Sequence, residues 1–369
     1  MGRLFRAGLA AGTALVLSAC GGGSENAGGG ANSGEAPAGE KEATAPLAGK
    51  GTISVAFCRT IRGADNRNIY GLTVRSYALK DGALVAERNS VMDPGFKPLT
   101  ICDEGERPAP WRAFNKNLTM VAGLAAPSRA GAADTTTGKE IAPPDKDAFV
   151  KDLRTGAVAF HPVTGQLWYD SDGGESLVYV RDPKGGMATE KPVKAIADHI
   201  AKDPVTAAAI LSLGQSDVVA VSPSGVIAMT GSLGKLDRQP TNGGVRSFFQ
   251  EFPVQGLSGN NQRDCYPAFW RDDTTLVCDY SLEQITFSAD HKSVVTRISL
   301  LPDADRTVQD PLLSPDGKSI AFIARNGAGQ DVIYKIDPST PGSQPVKIAE
   351  LEKPMDGSDK HKLSLITWN

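Results

Sequence analysis

Residues Asp310–Asp337 read DPLLSPDGKSIAFIARNGAGQDVIYKID and alternate apolar runs with turn chemistry. Pro311-Leu312-Leu313 is a short apolar run. Ser314-Pro315-Asp316-Gly317-Lys318 then reverses the chain, because Pro fixes φ and Gly accepts positive φ. Ile320–Ala324 is a second apolar run, Arg325–Gln330 a polar turn with Gly, and Val332–Ile336 a third run. The pattern is strand, tight turn, strand, looser turn, strand.

Weaker copies precede it. Ala157–Phe160 leads through His161-Pro162-Val163-Thr164-Gly165 to Leu167-Trp168-Tyr169 and Leu177–Asp182. Val218–Val221 leads through Ser222-Pro223-Ser224-Gly225 to Val226–Met229, and Pro267–Trp270 through Arg271-Asp272-Asp273 to Leu276–Cys278. Pro110-Trp111 followed by Leu118–Ala122 is a degenerate copy without the Pro or Gly of the turn. The first strands end at Trp111, Phe160, Val221, Trp270 and Leu313, at spacings of 49, 61, 49 and 43 residues. A period of about 40–50 residues is that of propeller blades. These repeats resemble those of TolB-like β-propellers.

A sixth, partial copy closes the chain. Leu365-Ile366-Thr367-Trp368 reads like Pro267–Trp270, and the complementary strands begin at Gly51 with Ile53–Phe57, Ile69–Leu79 and Leu84–Arg88. The expected fold is therefore all-β: a single domain over 51–369, a six-bladed propeller of four-stranded blades. The C-terminal strand pairs with the N-terminal strands and closes the ring. The long 61-residue gap holds Val193, Ile196, Ala197 and Ile200 at helical spacing, so a short helical insertion is expected at about 192–213.

The chain has 369 residues, 40% hydrophobic and 22% charged, enough to bury a core. Gly (40) and Pro (24) supply turn chemistry for many short strands. A net charge of −3 leaves no footprint for nucleic acid.

Residues 1–19 read as a signal peptide. Arg3 and Arg6 precede an apolar stretch, Ala7–Leu17, too short to span a bilayer. Leu17-Ser18-Ala19-Cys20 resembles a bacterial lipobox, which implies lipidation of Cys20 and a cell-membrane anchor facing outside the cytoplasm. Residues 20–50 follow as a flexible tether, since 21–50 hold nine Gly and seven Ala with Leu47 as the one large aliphatic.

Cys58, Cys102, Cys265 and Cys278 remain, an even number for an exported chain, so two disulfides are expected. Three connectivities are open. Cys265 and Cys278 flank the Arg271–Thr274 turn, which favours their pairing and leaves Cys58 with Cys102.

Catalytic signals are sparse. Neither a Gly-x-Ser-x-Gly elbow nor a Gly-x-x-x-x-Gly-Lys loop occurs. His161 and His291 sit at turns. Asp170, Asp172 and Glu175 are the weak candidates for a metal loop, short of the full calcium pattern, and Asp303, Asp305 and Asp310 read as turn residues. No cofactor is expected. The expected function is a non-enzymatic, lipid-anchored envelope propeller that binds a protein or cell-wall component. The alternative is an envelope enzyme, a glycan lyase or hydrolase or a metal-dependent lactonase, working in the propeller funnel. In TolB-like proteins one partner is a peptidoglycan-associated lipoprotein. This sequence lacks TolB's separate N-terminal α/β domain, so the resemblance does not carry that partner over. Two lobes of alternating strand and helix, as in a transporter's solute-binding lipoprotein, are not seen.

Overall fold

The computed structural model describes residues 45–62, 68–98, 102, 110–125, 129–141, 158–161, 164–170, 178–185, 189–191, 219–229, 232–236, 249–252, 254–255, 265–302, 308–352 and 361–369. Within these, regular structure is β apart from a 3-10 turn at Pro110–Ala113. The strands form six small antiparallel sheets. Sheet I joins β23 (His361–Trp368), β1 (Thr52–Arg62), β2 (Asn68–Ala78) and β3 (Leu84–Val91) in that order. Sheet II holds β4 (Lys97–Pro98), β5 (Met120–Ala125) and β6 (Arg129–Asp134). Sheet III holds β7 (Val158–Phe160), β8 (Leu167–Asp170), β9 (Val178–Arg181) and β10 (Thr189–Lys191). Sheet IV runs from β11 (Val219–Val221) through β12 (Val226–Met229) and β13 (Ser232–Leu236) to β14 (Phe249–Phe252). Sheet V runs β15 (Tyr266–Trp270), β16 (Thr275–Asp279), β17 (Glu283–Phe287), β18 (Val294–Ser299). Sheet VI runs β19 (Gln309–Leu313), β20 (Ile320–Arg325), β21 (Asp331–Ile336), β22 (Val346–Glu350).

The tight turns form because side chains stand in for missing ladder partners. Ser314 Oγ accepts the Ser319 amide at 2.9 Å and donates to Asp316, whose carboxylate accepts the Lys318 amide. Gly317 takes the required φ of 71°. Ser222 repeats the arrangement with the Val226 amide at 2.9 Å. In sheet III the ring of His161 does the same job, its Nδ1 accepting the Thr164 amide at 3.1 Å. His291 is likewise a buried turn residue, its ring nitrogen 2.6 Å from the Asp273 carbonyl.

Middle strands read as unbroken apolar runs because both of their faces are covered. In β20, Ala321 and Ile323 pack with Ile53, Val55 and Phe57 of β1, while Ile320, Phe322 and Ala324 pack with Val277 of β16. Ala56 and Cys58 of β1 face Val121 and Ala125 of β5, whose Ala122 faces Phe160 and Leu167 of sheet III. Leu276 of β16 faces Ala220 and Val226 of sheet IV. Each fully buried Phe, Leu or Ile of this kind stabilises the fold by about 1.5–3 kcal/mol. Sheet I thus packs on sheet II and on sheet VI, and β23 pairs with β1 from Ile53↔Trp368 to Arg59↔His361.

The outer rim carries a second, backbone-level connection. The β2–β3 turn sets Gly82 (φ 72°) so close to the Ile348 carbonyl of sheet VI that no Cβ fits. Gly138 (φ 71°) of sheet II meets the Val91 carbonyl of sheet I in the same way. The Gly342 amide of sheet VI donates to the Leu300 carbonyl beyond β18 at 3.1 Å. Gln255, beyond β14, exchanges hydrogen bonds of 2.8 and 3.0 Å with Lys292 and Val294 of sheet V. In all four cases a late turn of one sheet rests on the outer end of the sheet before it.

Three expectations need correction. Pro110-Trp111 is not the end of a first strand but part of the 3-10 turn; the chain reaches β5 just after it, where Phe114 bridges to Val121 and the Asn115 amide donates to the Met120 carbonyl. Sheet II is three-stranded, its fourth position reduced to a bridge between Ala133 and Glu140. The folded part includes residues before Gly51: Leu47 is buried, and its carbonyl accepts the hydroxyls of Ser54 and Ser76. At the sheet I–VI seam Trp368 packs, partly buried, beside fully buried Leu365, whereas Ile366 is buried against sheet II. The helical insertion at 192–213 lies outside the described residues, as do residues 1–44.

Candidate functional site

The first strands of successive sheets touch one another: β11 with β15, β15 with β19, β19 with β23, and β23 with the 3-10 turn, which also touches β7. Where β15 and β19 begin, a pair of tyrosines marks one end of this inner row. Tyr266 opens β15 opposite Asp279, the last residue of β16. The turn that follows places Tyr280 at φ 60° and Leu282 at φ 46°, both left-handed and neither a glycine. Such residues cost about 1–3 kcal/mol each and persist only where the surroundings over-determine them.

Here the surroundings do. Leu282 is fully buried beside Val308 and Leu300. The Leu282 carbonyl accepts the Leu300 amide at 3.0 Å, and the Tyr280 carbonyl accepts the Val308 amide at 3.2 Å. The Asp279 carboxylate accepts the Tyr280 amide at 2.7 Å. Cys265, next to Tyr266, is bonded to Cys278 with Cα atoms 5.0 Å apart. On this fixed base the Tyr280 ring stands 51% exposed, edge-on to Tyr266 at 5.1 Å. A rigid, amphipathic aromatic held out to solvent is a contact group of the kind that dominates interfaces.

Charge near the inner row comes from Arg112 in the 3-10 turn. Burial pushes its guanidinium down to about 9, which leaves it charged at neutral pH. Asp310, one step into β19, takes φ 50° and accepts the Leu365 amide of β23. Cys58 is bonded to Cys102, Cα atoms 5.3 Å apart, inside the sheet I–II core.

Several residues singled out by sequence are not brought together here. Cys20, Asp172, Glu175, Asp303 and Asp305 lie outside the described residues, and Asp170 contributes only its place at the end of β8. Among the described residues no group of three or more His, Cys, Asp or Glu is placed to hold a metal ion. No helix among them is long and apolar enough to cross a membrane. The sequence reading missed Tyr280. Its signal was an aromatic at the junction of two strand patterns, where Gly or Asn would be the ordinary choice.

No family model matches the chain. No curated protein matches it either. Solved structures do. A TolB candidate from Agrobacterium tumefaciens is similar over 81% of this chain and 89% of that one, at 9% identity and a TM-score of 0.32. A 6-phosphogluconolactonase candidate from Bacteroides fragilis is similar over 82% of each chain, at 14% identity and a TM-score of 0.35. The dihydro-heme d1 dehydrogenase NirN is similar over 79% of this chain and 67% of its own, at 12% identity and a TM-score of 0.36. Likenesses this distant carry no argument, and the fold stands on its own strand pairings.

Proposed function

We propose that the six sheets are six blades of one propeller ring, closed where β23 completes sheet I. We propose further that the chain is a lipid-anchored, non-enzymatic protein of the cell envelope. In this reading the end bearing Tyr266 and Tyr280 binds a protein or cell-wall partner. The observation that carries it is the exposed Tyr280 ring on a strained turn fixed by a disulfide and by backbone bonds from sheets V and VI. A strained turn that holds a half-exposed aromatic out to solvent is what a contact surface needs.

The anchor rests on the Ser18-Ala19-Cys20 motif. Cells fed a fatty-acid analogue should label the parent and not Cys20→Ser; label retained in the variant ends the anchor reading. The binding end is tested by a photoreactive aromatic at position 280, with position 346 on the rim as control. A discrete adduct from 280 alone is expected. Adducts from both positions, or from neither, reject this surface. Deleting residues 363–369 tests the ring: it should abolish cooperative unfolding, while an equal deletion within 21–44 should not. A truncated chain that melts like the parent rejects closure.

A further inference from the structure

The open edge of three-stranded sheet II is occupied by a side chain from sheet III. Along the outer side of β6, the Ala132 carbonyl accepts the Ile141 amide at 2.8 Å. Two residues earlier on the same edge, the Ala130 carbonyl accepts Nη2 of Arg181 at 2.9 Å. Arg181 thus takes the place of a fourth strand. Its side chain is buried, 3% exposed, yet Nε and Nη1 have no hydrogen-bond partner.

The neighbouring groups do not satisfy these donors. Glu140 Oε2 accepts a hydrogen bond from Nη2 of Arg129 at 2.8 Å, and its Oε1 is buried with no partner. The groups whose charge bears on Arg181 are Tyr169, Glu140, Arg129 and Asp182. Asp182 is exposed, and burial holds the Tyr169 hydroxyl protonated, against its stacked neighbour Tyr179. Nε and Nη1 of Arg181 and Oε1 of Glu140 therefore stand without hydrogen bonds at this edge. A buried guanidinium with open donors is destabilising, and natural folds retain one where a counter-ion or a ligand completes it.

We propose that Arg181 and Glu140 form an oxyanion site between sheets II and III that takes a phosphate group bearing a P–OH, as hydrogen phosphate or a monoester monoanion. The guanidinium supplies charge-assisted donors that suit phosphate oxygens. Glu140 Oε1 is an acceptor only, so the ligand must also offer a hydroxyl. Protonated phosphate has one. Sulfate at neutral pH has none and would set a bare oxygen against the carboxylate.

Titration calorimetry on the folded, exported protein tests this with inorganic phosphate, sulfate and glycerol phosphate at matched ionic strength. Phosphate should saturate one site and bind at least about tenfold more tightly than sulfate, since one like-charge contact in a protein interior is worth at least that much. Arg181→Gln should remove the phosphate heat. Glu140→Gln should gain sulfate binding, an outcome that loss of folding cannot imitate. Tighter binding of inorganic phosphate marks the free ion as ligand, and tighter glycerol phosphate marks a phosphorylated molecule; both support the site. Equal binding of phosphate and sulfate, absence of heat from either, or a crystal structure with water alone bridging Arg181 and Glu140 would overturn it.

Discussion

The backbone amide of Leu365 donates to a carboxylate oxygen of Asp310 at 3.3 Å, tying the last strand of the chain to the first strand of sheet VI. Asp310 makes that bond from φ 50°. Asp310→Ala removes the acceptor and leaves a methyl group in a left-handed residue, so it should cost about 1–3 kcal/mol in urea unfolding. Asp310→Asn keeps an acceptor and tolerates the backbone, and should stay within about 1 kcal/mol of the parent. Equal losses for the two would show that the cross-strand bond contributes nothing.

The rim contacts predict a split among glycines of similar φ. Gly225 and Gly317 have open space where a Cβ would stand, whereas Gly82 and Gly138 face the carbonyls of Ile348 and Val91. Alanine at 225 or 317 should cost about 1–2 kcal/mol, the expense of a left-handed backbone alone. Alanine at 82 or 138 should cost about 1–3 kcal/mol more, because a neighbouring sheet must shift. Thermal melts of the four variants decide it.

The disulfides close loops of different length, with sequence separations of 44 for Cys58–Cys102 and 13 for Cys265–Cys278. Loop-closure entropy assigns them about 4 and about 3 kcal/mol. The Cys58→Ser/Cys102→Ser pair should therefore be the more destabilised, whereas Cys265→Ser/Cys278→Ser should give up adduct formation at position 280 as well. Unreduced mass spectrometry finding four free thiols in the exported protein would remove both expectations.

Acid should weaken the turns. Hydrogen bonds from the hydroxyls of Ser314, Ser288 and Ser339, with help from backbone amides, hold Asp316, Asp290 and Asp337 below their ordinary value of 3.8. At Asp272 burial opposes the shift, and bonds from Thr274 and Thr275 outweigh it. A carboxylate lowered in the folded state stabilises in full above its unfolded value, and that contribution disappears as pH falls through the folded one. The melting temperature should hold down to about pH 5 and fall below about pH 4. Replacing Asp290, Asp316 and Asp337 together by Asn should flatten that acid limb; an unchanged limb assigns the acid sensitivity elsewhere.

Strands were legible where local chemistry decides them. Ser314–Lys318 and Ser222–Gly225 announce their turns, and the apolar run Ile320–Ala324 announces a strand covered on both sides. Sheet II was not legible in this way. Its β5 and β6 are rich in Ala and Gly, and Gly123 and Gly131 leave room for Phe96 to lie against the sheet, a fit that periodicity does not report. The tyrosine platform was hidden for another reason: left-handed φ at Tyr280 and Leu282 is imposed by Leu300 and Val308, which lie far along the chain. Arg181 reads in sequence as the charged end of a strand; only its place against β6 makes it a buried cation.

The pairing of Ile53 with Trp368 also sets a timetable. Sheet I takes its second, third and fourth strands from residues 52–91 and its first from residues 361–368, so a chain emerging N-terminus first cannot finish that sheet until the strands of all the other sheets are out. Through that interval the inner edge of β1 stands unpaired, carrying Ile53, Val55 and Phe57 without their final cover. Contacts of such long range are slow to form, and an open strand edge invites pairing with other chains. The stage most exposed to aggregation is therefore the one in which the other five sheets are present and β23 is not, and assistance from chaperones would matter most just before that strand arrives.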